Sequence, residues 1–109
     1  MNVDDLLKIA IERDASDLHL KAGNHPTIRV HGTLVPLVGF PKLTSSDTED
    51  LTNQILNDFQ RKKLKEEFDI DLAYSLPGFG RFRGNVFHQR NSQTVALSII
   101  PLEVKSITE

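Results

Sequence analysis

Hydrophobic and polar residues recur with two different periods along this chain, and these periods separate predicted helices from predicted strands. The first helical stripe consists of Val3, Leu6, Leu7, Ala10 and Ile11. This spacing predicts an amphipathic helix, and Asn2 is placed to cap its N-terminus. Strict alternation at residues 17–22, 27–31 and 69–76 predicts strands with one buried face.

Turn residues between the alternating segments predict antiparallel strand pairing. His31 and Gly32 are expected to fold the second strand back into a hairpin, whose far strand is ended or placed at a sheet edge by Pro36. The last third reads as a meander of strands at residues 69–76, 80–90 and 94–100, separated by the turn sequences PGFG and NSQ.

The middle of the chain predicts two helices. Ser46 and Glu49 fit a capping box at the start of the first, and Asp58 is expected to cap the second. The residues predicted to be buried by these helices are Leu51, Ile55, Leu56, Phe59, Leu64 and Phe68. The order of helix, strands, helices and strands predicts an α+β fold, a mostly antiparallel sheet with helices packed over one face.

Composition limits the possible functions. The 109 residues suit one domain, and a net charge of −2 argues against a general attraction to nucleic acid. The chain has no cysteine and no apolar run long enough for a signal peptide or a membrane span. It also lacks the sequence motifs of phosphate loops, dinucleotide-binding turns and zinc proteases, so no catalytic residue is predicted in it.

The histidines and two aspartates favour structural roles. The four histidines lie on separate predicted elements and lack the spacing of metal ligands; they are His19, His25, His31 and His88. We therefore predict no metal site. Asp69 and Asp71 share one face of a strand, which favours a solvated face or pairing with basic residues on the neighbouring strand.

The segment RFRGNVFHQR holds the strongest candidate site. Alternation places Arg81, Arg83 and Asn85 on one strand face and directs Phe82 and Val86 into the core. Two neighbouring guanidinium groups suit phosphate or carboxylate oxygens, or else they pair with the two aspartates of the preceding strand; the sequence leaves both alternatives open.

Arg90 does not follow the same alternation. Strict alternation puts Arg90 on the face of Phe82, unless Gly84 hosts a bulge or Arg90 lies beyond the strand end.

Several motifs in order resemble one family. ASDLHL at residues 15–20, PTIRVHGTLVPL, GRFRGNVFHQR and a strand ending in IIP resemble the N-terminal domain of type IV pilus retraction ATPases, within the wider secretion ATPase superfamily. The resemblance runs from Met1 to about Pro101. It implies a PAS-like domain over residues 1–101, with residues 102–109 beginning the linker to a RecA-like ATPase domain that is absent here.

The resemblance also implies a role for the arginines. In the family, arginines of this strand contact the phosphates of the nucleotide held by the ATPase domain, and the matching positions are Arg81, Arg83 and Arg90. It implies that the full-length protein uses ATP and Mg²⁺ and hydrolyses ATP as a hexamer. This chain alone is expected to bind no cofactor and to be no enzyme.

The family implies partners and a location as well: the protein's own ATPase domain, neighbouring subunits, and the pilus machinery at the cytoplasmic side of the inner membrane. The chain starts directly on its first helix, which favours a retraction motor over an assembly or type II secretion ATPase of the same superfamily. The other hypotheses are a stand-alone PAS-like sensor of a small ligand and a nucleic-acid binder. The acidic net charge and the phenylalanines expected in the core count against nucleic acid.

Overall fold

The computed structural model of the chain describes residues 1–89 and 91–100. In chain order the elements are α1 (Val3–Glu12), β1 (Asp17–Leu20), β2 (Thr27–Val30), β3 (Thr33–Pro36), α2 (Ser45–Ile55), α3 (Asp58–Glu67), β4 (Asp69–Leu76), β5 (Gly80–Gln89) and β6 (Ser92–Ile100). The strands form one six-stranded sheet in the order β3-β2-β1-β6-β5-β4, and every neighbouring pair is antiparallel. The predicted α+β fold is therefore confirmed.

The core lies between the helices and one face of the sheet. Phe82, Val86, Val95 and Leu97, which alternate along β5 and β6, are fully buried there together with Leu6 of α1. This burial contributes most of the driving force for folding, because removing apolar surface from water is the dominant favourable term. No helix among the described residues has the length and apolar character needed to cross a membrane.

Strand β5 is regular along its described length, and Gly84 does not host a bulge. Pairing with β6 continues unbroken from Arg81 opposite Ile100 to Gln89 opposite Ser92. A Cβ added at Gly84 would meet Cδ2 of Leu97 at 2.6 Å, so a larger residue there requires the Leu97 side chain to move. The predicted turn NSQ extended too far along the chain, because β6 already begins at Ser92.

The β2–β3 hairpin was predicted correctly. His31 and Gly32 form its turn with positive φ angles of 49° and 81°, a conformation that lets a two-residue turn match the twist of the strands. Pro36 ends β3, which is the edge strand on that side of the sheet.

Asn2 caps α1 as predicted, whereas the caps of the other two helices differ from the prediction. Thr44 caps α2 in a capping box with Asp47, not Ser46 with Glu49. Asn57 caps α3 in a capping box with Gln60, and Asp58 is already the first helical residue. In both helices the capping residue has an extended backbone and the helix begins at the next residue. Several neighbouring polar residues could also act as caps, so the sequence alone does not show where each helix begins.

Two phenylalanines predicted to be buried are exposed. Phe59 is 74% exposed and Phe68 is 59% exposed, while Leu64 of the same helix is only 3% exposed. Helix α3 packs on β4 and β5, and Phe59, five residues before Leu64, lies on a different side of the helix, so the sheet covers Leu64 but not Phe59. Phe68 follows the helix with a positive φ of 62°, which turns its ring away from the core and edge-on to His88.

Candidate functional site

The two candidate arginines lie side by side on the sheet face that the helices do not cover, here called the open face. Arg81, Arg83 and Asn85 alternate with the buried residues of β5, and both arginines are exposed. Cross-strand pairing puts small uncharged residues of β4 opposite them, Ser75 opposite Arg81 and Ala73 opposite Arg83. Neither neighbour on β4 offers a carboxylate to the guanidinium groups.

The aspartates of β4 are engaged by an amide and not by the arginines. Asn85 Nδ2 donates to Asp69 Oδ1 at 2.8 Å and to Asp71 Oδ1 at 3.0 Å. Within residues 1–89 and 91–100, neither Arg81 nor Arg83 forms a salt bridge or a side-chain hydrogen bond. The alternative in which Asp69 and Asp71 pair with the arginines is therefore wrong for this part of the chain.

A second polar cluster on the open face is centred on Asp17. Its carboxylate accepts hydrogen bonds from Ser16 Oγ at 2.6 Å, His19 Nε2 at 2.7 Å and Arg29 Nε at 3.2 Å. Partial burial alone would raise the pKa of Asp17, but these hydrogen bonds outweigh burial and hold the pKa below its usual value. Arg29 also donates to the carbonyl of Gly32, which ties the cluster to the β2–β3 turn.

This cluster gives the ASDLHL motif a structural meaning that sequence reasoning missed. The alternation at residues 17–22 predicts a strand with one polar face, but it assigns no common partner to Asp17 and His19. The signal was present, since period-two spacing puts both on one side of β1 and antiparallel pairing sets Arg29 opposite Asp17. The same row of the sheet continues through Ser98 to Arg83, so the Asp17 cluster and the arginines share one surface.

The remaining candidate residues do not add to this surface. Arg90 lies outside the described residues, so the side of the sheet that it occupies stays untested. His25 Nδ1 bonds to the carbonyl oxygen of Phe40 at 2.6 Å, and His31 is exposed in a turn. Across the described ranges, no three histidine, aspartate or glutamate side chains are close enough to hold a metal ion.

The phenylalanines of β5 divide between the two faces. Phe82 is fully buried and cannot stack on a base, as predicted. Phe87, however, is half-buried on the open face, opposite Asp69, so it does not face the core.

Comparison with known proteins gives these features a context. No protein-family model matches the chain. All 109 residues align with the type IV pilus retraction ATPase PilT of Pseudomonas aeruginosa at 37% identity, covering 31% of that protein. The type IV pilus ATPase PilU of the same organism matches over the full chain at 31% identity, and 28% of its length is covered.

Solved structures agree with the sequence matches. The crystal structure of the pilus retraction motor PilT with bound ADP superposes with a TM-score of 0.88 and 41% identity, over 94% of this chain and 30% of that one. The ATPase DotB of Legionella pneumophila superposes with a TM-score of 0.74 and 25% identity, over 91% of this chain and 28% of that one. The chain thus spans less than a third of the length of these relatives.

The fold and the shared sequence place the chain in the secretion ATPase superfamily. Within it, the chain is homologous to the N-terminal region of PilT-type retraction ATPases of type IV pili and twitching motility. The resemblance drawn from the ASDLHL and RFRGNVFHQR motifs is therefore confirmed.

Proposed function

We propose that this chain acts as the N-terminal domain of a hexameric pilus retraction motor. Residues 1–101 form the domain, and residues 102–109 begin the linker to an ATPase domain that lies beyond Glu109. Support comes from a match that covers all of this chain but only 31% of the retraction ATPase. The uncovered two thirds leave ample length for a nucleotide-binding domain.

One observation carries the assignment of the site. Arg81 and Arg83 are exposed on one face, without an acidic partner in the described chain, while the nearby Asp69 and Asp71 are held by Asn85. The guanidinium groups of Arg81 and Arg83 repel each other because they are neighbours on one strand face. Two such arginines without an acidic partner are therefore expected where an anion completes the site. Planar guanidinium groups bind phosphate oxygens in a forked geometry.

The arginines would then supply the phosphate contacts that the N-terminal domain contributes to a nucleotide held by the ATPase domain. Arg90 belongs to the same sequence motif and is proposed for the same role. If ATP and Mg²⁺ are bound by the ATPase domain, the guanidinium groups beside the phosphates would stabilise the charge that develops on their oxygens during hydrolysis. Contacts that exist only with the nucleotide present would also link domain orientation to nucleotide state.

The remaining parts of the proposal follow from the same homology. The chain would pack against its own ATPase domain and against neighbouring subunits, and the hexamer would work with the pilus machinery at the cytoplasmic side of the inner membrane. Because this chain has no phosphate loop, we expect no ATP hydrolysis by it alone.

Two experiments test the proposal. The first reads the gene onward from Glu109, where a phosphate-loop sequence is expected within about a hundred residues. The second replaces Arg83 by Gln in the complete gene product. ATP turnover is expected to fall on the order of 10³-fold, the effect of losing an arginine finger. Lys21→Gln is the matched control, because it removes one exposed positive charge beside His19 and Arg29, which lie on the open face.

Arg83→Lys separates charge from geometry. It keeps the charge but loses the fork, so it is expected to restore only a small part of the turnover. A stop codon directly after Glu109 would overturn the motor assignment. Full turnover in the Arg83→Gln protein would overturn the role of that arginine and leave the domain assignment intact.

A further inference from the structure

The two edges of the sheet differ in how well they are protected against adding another strand. The edge strand β3 has only four residues and ends at Pro36. The edge strand β4 has eight residues, contains neither proline nor lysine, and runs beside β5 without a bulge. Short strands, proline, lysine and bulges are among the features that keep natural sheet edges from pairing. Within residues 1–89 and 91–100, β5 is the only strand that pairs with β4, so its outer edge is open.

The hydrogen-bonding groups at this outer edge belong to every second residue of β4. The amide of His88 donates to the carbonyl of Phe68 at 2.9 Å, so the even-numbered positions direct their backbone N–H and C=O groups towards β5. These groups alternate in direction along an antiparallel strand. The residues that direct theirs outward also have exposed side chains on the open face: Asp69, Asp71, Ala73 and Ser75.

The charges of this edge are confined to the first half of the strand, which restricts how two copies can pair. Two copies can pair antiparallel about a two-fold axis that passes through Leu72. Asp69 then lies opposite Ser75 of the second copy, and each such pair exchanges two backbone hydrogen bonds. Asp71 likewise lies opposite Ala73. An axis through Asp71 would instead set two carboxylates directly opposite each other, which is destabilising.

The arginines of β5 favour the axis through Leu72. Ala73 lies opposite Arg83 in its own copy, and Ser75 lies opposite Arg81. Asp71 of the second copy would extend the row of Ala73 and Arg83, with two strand spacings, about 9.5 Å, between the Cα atoms of the two charged residues. The small side chain of Ala73 leaves the guanidinium room to reach that carboxylate. The other arginine meets the second copy's other aspartate across Ser75 in the same way.

Both aspartates keep an oxygen atom for this contact. Asn85 Nδ2 donates to Oδ1 of Asp69 and to Oδ1 of Asp71. Neither Oδ2 atom has a hydrogen-bond donor or a salt-bridge partner in the described part of the chain. The ion pairs between copies can therefore form without breaking the contacts of Asn85.

We propose that β4 pairs with β4 of a second copy of this chain, antiparallel about an axis through Leu72, and that Arg81 and Arg83 of each copy contact the aspartates of the other. The pairing joins two six-stranded sheets into one, with both open faces on the same side. An arginine bound to phosphate is not free for a carboxylate of the second copy, so the pairing belongs to the chain without nucleotide. It depends on the β4 edge and not on the proposed motor function.

Sedimentation equilibrium of the 109-residue chain, without nucleotide or phosphate, measures the pairing. A reversible equilibrium between monomer and dimer is expected. Amide hydrogen exchange followed by nuclear magnetic resonance identifies the edge involved. The exchange of the Asp71 and Ala73 amides is expected to slow as the protein concentration rises, because dimerisation gives these amides acceptors. The amide of Leu34, on the opposite edge strand, is expected to exchange at an unchanged rate.

Opposite charges introduced at Ala73 test the register. Ala73 is exposed, so its replacement leaves the core intact. Ala73→Asp sets two carboxylates opposite each other and is expected to weaken dimerisation by about tenfold or more. Ala73→Lys sets an ammonium group opposite Asp71 and is expected to leave the dimer at least as stable. Thr33→Asp is the matched control, because it adds the same charge at an exposed position of β3, and it is expected to leave dimerisation unchanged.

Four results would each overturn the proposal. The first is a chain that stays monomeric up to millimolar concentration. The second is a dimer in which the amides of Asp71 and Ala73 exchange as fast as in the monomer. The third is equal weakening by Ala73→Asp and Ala73→Lys, and the fourth is equal weakening by Thr33→Asp and Ala73→Asp.

Discussion

Replacing Gly84 by alanine tests whether this glycine is required by packing. In the structure the new Cβ would lie 2.6 Å from Leu97 Cδ2 and 3.4 Å from Leu72 Cγ. Leu97 is fully buried, so its methyl group cannot move aside without disturbing the rest of the core. Overpacking of this kind costs about 1–3 kcal/mol, and removing a glycine from a strand returns about 0.5–1 kcal/mol.

With about 2 kcal/mol and about 0.75 kcal/mol as the middle of these ranges, the expected net loss is about 1 kcal/mol in the free energy of unfolding. Urea unfolding followed by circular dichroism would show this as a midpoint lowered by about 0.5–1 M with an unchanged slope. Gly39→Ala is the matched control, because an added Cβ there meets nothing within 4 Å. Its effect is expected to stay within about 0.5 kcal/mol.

A double-mutant cycle identifies the clashing atom. Leu97→Val removes the offending Cδ2, so Gly84→Ala is expected to cost less in that background, with a coupling of at least about 0.5 kcal/mol. An equal cost in both backgrounds, or no cost in the parent chain, would refute the packing argument.

Three further predictions concern stability and titration. Burial and the hydrogen bond to Asp4 raise the pKa of Tyr74 to about 12, so the free energy of unfolding is expected to fall as pH rises from 10 towards that value. Tyr74 is the only tyrosine, so an absorbance titration should show its pKa directly. A titration midpoint near pH 10 would contradict the prediction. Asp17→Asn should reduce the loss of stability on acidification. The lowered pKa of Asp17 stabilises the fold above about pH 3.8, and this contribution is lost as pH falls through the pKa of Asp17 in the folded state. Urea midpoints at pH 7 and pH 3 test this, and the same difference between the two midpoints in the variant and the parent chain would refute it. Phe59→Ser should change the free energy of unfolding by less than about 0.5 kcal/mol, whereas Leu64→Ala should cost about 2–5 kcal/mol; comparable losses would show that Phe59 is packed.

The sequence predicted best what depends on local alternation. Period-two spacing was enough to place Arg81 and Arg83 on one face and Phe82 in the core, because side-chain direction in a regular strand follows from counting. It was not enough to show that Asn85 bridges Asp69 and Asp71, since that contact depends on the register between two strands.

Helix periodicity was similarly limited. Phe59 and Leu64 are five residues apart, which places them on different sides of α3, so once Phe59 is known to belong to this helix its exposure follows; the sequence did not show that the helix begins at Asp58. Cap positions failed for another reason: several polar residues near Thr44 and Asn57 can each cap a helix, and backbone conformation selects among them.

Strand β5 links the two faces of the sheet. A sheet is one backbone thick, so the two faces of β5 belong to the same rigid ladder. Arg83 points to one side and His88 to the other, and the hydrogen bonds to β4 and β6 prevent the strand from twisting at only one of them. A tilt of β5 as one unit that drew Arg83 towards an anion would also move His88 relative to α3. The two faces of the sheet would then respond together.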